Sequence, residues 1–283
     1  MTPFSICLVE PAGYRHSQGL AEVCQLLGYS LETLGRPCSF EINHIEAGAV
    51  NIVLGYHLLD PLTVGRVGEH RLIFYQLEQL SDQQSRFTPE REALLRAAWG
   101  IWDYSQENVG FLRARGFERV VWVPLGYHRR LERIAHRPES EKDIDVLFYG
   151  STHQRREAVL EVLRPRCRVE SLYGVYGAQR DRYIARSRMV LNIHFYDTQI
   201  LEQVRISYLL SNRCFVISEA AGGNPFDGGL VTGPHAELAA LCEKYLADPE
   251  ARRRVAARGH SAFRRRLMVE HLKPALAQLE SWG

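Results

Sequence analysis

Short apolar runs alternate with amphipathic stretches along this chain, and the alternation occurs in two blocks. The first run, residues 4–9, is closed by Glu10-Pro11-Ala12-Gly13. A loop then leads into an amphipathic helix over 20–34 that Gly35 stops. Runs at 51–54, 71–75, 100–103 and 120–123 predict further strands, with helices over 89–98 and 106–115. A polar, charged stretch, 129–142, breaks the pattern and predicts a linker. Beyond it, strands are predicted at 144–149, 168–173, 189–193, 214–217 and 228–231, with helices over 155–163 and 179–187. The helix before Cys214 takes Thr198 as its N-cap, and Leu201, Val204, Tyr208 and Leu209 form its apolar stripe. Helices over 236–246, 249–259, 261–270 and 271–282 close the chain, with Pro274 in a first turn. Strands alternating with helices argue for an α/β protein whose parallel sheets are covered on both faces.

Length allows two medium domains in the 283 residues, each with a full core. A net charge of +2 is too small to call for a nucleic-acid partner. The six cysteines form no CxxC pair, which predicts reduced thiols in a cytoplasmic protein. No apolar run is long enough to span a membrane, and no signal peptide is expected.

Candidate chemistry gathers where the strands of the second block end. Gly150 and Ser151 lie between a strand and a helix, where free backbone N–H groups and the helix dipole favour an anion. Arg155 and Arg156 at that helix start oppose the dipole unless an anion neutralises them; two solvated surface arginines are the alternative. Glu202 and Arg205 share a helical face. They either pair with each other or meet ribose hydroxyls and a phosphate. In the first block His16, Glu78 and Asp103 sit at or just past strand ends, as candidate bases or as structural polar residues. Asp143-Ile144-Asp145 spells DxD but precedes its strand, on the edge opposite to ligands, so it is not read as a metal site. No other cluster has metal-ligand spacing. Arg252, Arg253, Arg254, Arg258, Arg264, Arg265 and Arg266 lie on late helices. They form a solvated face or, as the minority reading, a contact with an anionic polymer or membrane surface.

Four segments carry a family resemblance: DVLFYGSTHQRR (145–156), LYGVYG (172–177), VLNIHFYDTQILEQVRISYLLSNRCFVISE (190–219) and ELAALCEKYLADPEARRRVAARG (237–259). They resemble the donor-binding domain of GT-B glycosyltransferases, of the kind described as glycosyl transferases group 1-like. YQLEQL, WDYS and VPLGYH extend the resemblance more loosely to the first half. The resemblance implies two Rossmann-like domains facing a central cleft. Residues 1–128 would present the acceptor, 129–142 would be the linker and 143–265 would bind the nucleotide sugar. A last helix, 266–283, would pack back toward the first domain. It implies donor roles for Gly150, Ser151, Arg155, His194, Tyr196, Glu202 and Arg205; the catalytic candidates remain His16, Glu78 and Asp103 from their strand-end positions. It implies transfer of a sugar to an unidentified hydroxyl acceptor, with no metal and no cofactor beyond the donor. A Glu-x7-Glu pair, common in retaining members, is missing in either register: eight residues after Glu202 stands Leu210, and the alternative alignment gives Ile200 and Tyr208. A non-catalytic nucleotide- or glycan-binding relic of the fold, and a scaffold for an anionic polymer, stand as the other readings.

Overall fold

The apolar runs become parallel strands in two separate sheets. The structure is a computed structural model describing residues 2–60, 64–80, 87–195, 200–222, 224–226 and 228–282. In chain order the elements are β1 (Phe4–Leu8), α1 (Ala21–Thr33), β2 (Cys38–Ile42), β3 (Val50–Leu54), α2 (Val64–Val67), β4 (Arg71–Gln76), α3 (Pro89–Ala97), β5 (Gly100–Asp103), α4 (Gln106–Ala114) and β6 (Val120–Trp122). There follow β7 (Ile144–Tyr149), α5 (Gln154–Leu163), β8 (Val169–Leu172), α6 (Gly177–Arg186), β9 (Ser187–Asn192), α7 (Gln203–Ser211), β10 (Val216–Glu219), β11 (Val231–Gly233), α8 (Leu238–Leu246), α9 (Pro249–Phe263) and α10 (Met268–Trp282). Two units result: Met1–His128 with Leu267–Gly283, and Arg129–Arg266.

The first unit orders its strands β2-β1-β3-β4-β5-β6, all parallel. Its central strands are buried along their length because helices cover both faces. Strand β2 was not foreseen from sequence. It is an edge strand of half-exposed, half-polar residues, so it lacks the continuous apolar run of a central strand. Helix α10 belongs to this unit. The Trp282 ring meets Trp99 edge-on at 5.7 Å, and it leaves no room for a side chain at Gly100, where a Cβ would fall 2.2 Å away. Gly126 N–H reaches Met268 Sδ at the other end of the helix. Pro274 lies inside α10 rather than in its first turn. It stands on the exposed face together with Glu270, whose carbonyl lost its partner, so water can satisfy that carbonyl.

The second unit orders its strands β11-β10-β9-β7-β8, again parallel. Strand order therefore reverses between β7 and β9, and ligands of open α/β sheets bind outside the strand ends at such a point. Residues 129–142, expected as a linker, are held to this unit by Asn212. Its Oδ1 accepts from the Arg133 and Ile134 N–H groups at 2.8 and 2.9 Å, and its Nδ2 donates to Leu131 O at 2.9 Å. Gly259 does not end a helix: α9 runs through it, and Gly229 packs so close that a Cβ on Gly259 would lie 2.3 Å from Gly229 O. Among the described residues no helix is long and apolar enough to cross a membrane.

Candidate donor site at the strand ends of the second unit

Three strands of the second unit end side by side: β7 at Tyr149, β9 at Asn192 and β10 at Glu219. Each has an apolar middle and closes on a polar group. Those polar groups join into one network. Asn192 Nδ2 donates to Glu202 Oε2 at 2.8 Å and to Ser218 Oγ at 2.9 Å, while its Oδ1 accepts from Arg205 Nη1 at 2.7 Å. The carboxamide thus sits between Glu202 and Arg205, which do not pair with each other among the described residues. Helix α7 begins at Gln203, later than expected, and Glu202 occupies its N-cap position without capping it.

Glu202 instead holds His194. Nδ1 of His194 lies 2.9 Å from Glu202 Oε2, and Nε2 lies 3.2 Å from the Ala220 carbonyl. Both ring nitrogens face acceptors, an arrangement that favours the doubly protonated imidazolium. Burial opposes that charge, but the Glu202 hydrogen bond and the charges of Glu202 and Glu219 outweigh it, and the His194 pKa is raised. Burial also acts to raise the Glu202 pKa. His194, Arg205 and Asn192 overcome it and hold the carboxyl at about 2.

Glu219 extends the network on the other side. It accepts from the His194 N–H at 3.1 Å and pairs in bidentate fashion with Arg155, one arm at 2.6 Å. Arg155, expected to await an anion, is therefore neutralised by a carboxylate of its own unit. Arg156 is only 4% exposed and serves backbone carbonyls: two of its nitrogens reach Ile193 O at 2.9 and 2.7 Å, and a third reaches Ser151 O at 2.8 Å. It ties the loop after β7 to the loop after β9. The N-cap of α5 is His153, whose Nδ1 accepts from Arg155 N–H at 3.2 Å and whose Nε2 then donates to Phe195 O at 2.7 Å.

Arg205, like Arg156, is held without a carboxylate, but it is less buried. No carboxylate pairs with it among the described residues. Its guanidinium lies over the Tyr149 ring, 4.9 Å from the centroid, and beside Gly150. Gly150 takes a φ of +131°, which side chains rarely adopt, and a Cβ there would press on Arg205 Nη2 at 3.0 Å. Ser151 is half-buried at the same edge. The structure therefore gathers Gly150, Ser151, Arg155, His194, Glu202 and Arg205 at one sheet edge. Tyr196, and Thr198 expected as the N-cap, lie outside the described residues. Sequence reasoning missed Asn192, Glu219 and His153; the signal for the first two was a polar residue closing an apolar run, and His153 gave none.

In the first unit the three candidate bases stand apart in character. Asp103, the last residue of β5, is fully buried. Its Oδ1 accepts from Ser105 N–H at 2.8 Å and Asn108 Nδ2 at 3.1 Å, and burial pushes its pKa well above the ordinary value. Asn108 also donates to Glu78 O at 2.8 Å and accepts from Leu80 N–H at 3.0 Å, so it fixes the loop after β4. The Glu78 carboxylate is 38% exposed, with His57 Nε2 at 3.9 Å. His16 lies beyond the end of β1, on a short helical turn, its ring edge-on to Tyr14 at 5.2 Å.

The profile of a family described as glycosyl transferase-like matches residues 129–278. Two uncharacterised proteins of Acanthamoeba polyphaga mimivirus are similar, one 26% identical over 154 residues and the other 28% identical over 124. These cover 52% and 42% of this chain and 52% and 40% of the viral proteins, so the chain spans about half the length of the curated relatives it matches. Among solved structures, Anabaena HepE in complex with UDP and glucose superposes with a TM-score of 0.65 at 12% identity, covering 99% of this chain and 100% of that one. T4 phage β-glucosyltransferase gives 0.57 at 10% identity, with 100% and 97% covered. The lipopolysaccharide outer core galactosyltransferase WaaB gives 0.55 at 10% identity, with 98% and 99% covered. The shared architecture is two Rossmann-like units of the GT-B kind.

Proposed function

Because the chain belongs to the glycosyl transferase-like family, we propose that its second unit binds a nucleotide-sugar donor. The sugar passes to a hydroxyl acceptor without a metal ion. The charge balance of the strand-end network carries this reading. Among the described residues four cations, Arg155, Arg156, His194 and Arg205, share two carboxylates, Glu219 and Glu202. Arg156 is buried and spent on backbone carbonyls, whereas Arg205, less buried, lies beside the glycine at the point where strand order reverses. A guanidinium offers a diphosphate two parallel N–H groups, and a glycine lets backbone approach it closely. The solved complex of HepE with UDP and glucose supports a donor of this class. Free cysteines, four of the six buried, fit a reducing cytoplasm.

Glu78 is our acceptor base. It is the candidate carboxylate with solvent access, whereas Asp103 has none. It would take the hydroxyl proton as the new glycosidic bond forms, while Arg205 stabilises the departing diphosphate. Calorimetric titration with UDP tests the donor half. Loss of a charge-assisted hydrogen bond costs about 1.5–3 kcal/mol, so Arg205→Ala should weaken affinity by roughly ten- to a hundredfold. Folding should weaken less than donor binding, by the loss of the Asn192 hydrogen bond. Equal affinities would remove Arg205 from the site. Glu78→Gln should keep UDP affinity and lose transfer. Excess chelator should leave turnover intact; loss restored by a divalent ion would overturn the metal-free reading.

A further inference from the structure

We propose a second anion site in the second unit, at the sheet edge opposite the strand-end network, that takes a phosphate group. A cavity of about 250 Å³ opens there, where β9 and β10 begin. Its wall holds five cations, Lys142, Arg188, Arg213, Arg252 and Arg253, and one carboxylate, Glu139. They come from four separate stretches of chain: the segment before β7, the start of β9, the turn before β10 and the first turns of α9.

The cations outnumber their partners. Glu139 is approached by Arg252, by Arg188 at 3.3 Å and by Lys142 at 3.9 Å. Arg188 also meets Asp145 at 2.7 Å, but Asp145 is shared with Arg168 at 3.3 Å. Four cations thus divide two carboxylates. Arg213 and Arg253 at the rim have carboxylates of their own, Glu132 and Glu250. Of the four, Arg168 is 60% exposed and outside the cavity, but the other three are shielded from water. The side chain of Arg252 is 4% exposed, Lys142 14% and Arg188 18%. Arg252 also donates to the Tyr245 and Leu246 carbonyls and Arg188 to the Glu139 carbonyl, so their hydrogen bonds are met, but a net positive charge remains beside the cavity that an entering anion would offset. Arg252 and Arg253 also stand in the first turns of α9, where the helix dipole disfavours cations. Burial, with Arg252 and Arg188 nearby, lowers the Lys142 pKa despite Glu139, as expected of an ammonium short of anions.

The cavity takes a phosphate or a small phosphomonoester, met by the Lys142 ammonium and the Arg213 guanidinium at the rim. It is separate from the donor site: Arg188 and Asn192 are four residues apart on β9, roughly 13 Å at the strand rise. The proposal therefore stands whether or not the strand-end network binds a nucleotide.

Titrate inorganic phosphate, and separately a hexose phosphate, into wild type, Lys142→Met, Arg213→Gln and Arg205→Ala by calorimetry, with chloride matching the ionic strength. Methionine keeps the length of Lys142 and removes a buried charge, so the fold should survive, which thermal melting checks. At least one of the two ligands should bind wild type and Arg205→Ala alike. Its dissociation constant should rise at least tenfold in Lys142→Met and severalfold in Arg213→Gln. The tighter of the two identifies the source of the phosphate. Undiminished binding in Lys142→Met, or binding that disappears in Arg205→Ala, would overturn the proposal. UDP affinity should be unchanged in Lys142→Met, which separates this site from the donor site.

Discussion

At Glu202 and His194 two titrating groups fix each other's charge, and the signs of their shifts define a pH window. Glu202 is held at about 2, below its ordinary 4.5. It therefore stabilises the fold above pH 4.5, and that contribution is lost as pH falls through 2. His194 is shifted up from 6.5, so its contribution is full below pH 6.5 and is lost as pH rises through its folded value. The pair should matter most between those limits. Urea midpoints of wild type and Glu202→Gln should differ most near pH 5.5, and less at pH 3 and pH 9. A difference independent of pH would show that the imidazolium is absent. Asp103 runs the other way. Burial raises its pKa, so the folded chain keeps a proton that the unfolded chain releases above its ordinary 3.8, and Asp103 weakens the fold as pH rises. Asn fits the same space and retains the Oδ1 acceptor for Ser105 and Asn108. Asp103→Asn should therefore gain stability relative to wild type between pH 4 and 7.

Among the elements, the contact of α9 with the loop at Gly229 sets a sharp condition. Alanine at Gly259 would improve helix propensity by about 1 kcal/mol. Its Cβ would also fall 2.3 Å from Gly229 O, and backbone cannot yield as a flexible side chain can. Overpacking costs about 1–3 kcal/mol, so Gly259→Ala should lower the denaturation midpoint despite the better helix former. The same glycine shows what sequence periodicity can and cannot tell. It reads as a helix stop, since nothing local reveals that Gly229 will press against it. Central strands such as β7 and β9 were legible because burial on both faces demands unbroken apolar runs. β2 was not, because an edge strand is half solvated. In the candidate site, Gly150 and Arg205 could be picked out from spacing. That Arg155 is matched by Glu219, 64 residues away, and that Asn192 separates Glu202 from Arg205, are products of tertiary packing. No local pattern encodes them.

For the molecule as a whole, the first unit is discontinuous in sequence. Helix α10 brings Leu272, Ala275, Leu276 and Leu279 into its core and sets Trp282 against Gly100. Truncating a fully buried aromatic costs about 3–5 kcal/mol; Trp282 is partly buried, so Trp282→Ala should lower stability by less than that, read as the urea midpoint of the first unit. A fragment of residues 1–128 should expose the surface that α10 covers and melt well below the full chain. A fragment of residues 129–266 should fold without help. On the ribosome this reverses the usual order of maturation. The unit made first waits for its final helix while the 138 residues of the other are synthesised. At about 5–20 residues per second that wait is roughly 7–28 s. During that interval the newborn first unit carries a bare apolar face, the surface a chaperone would bind.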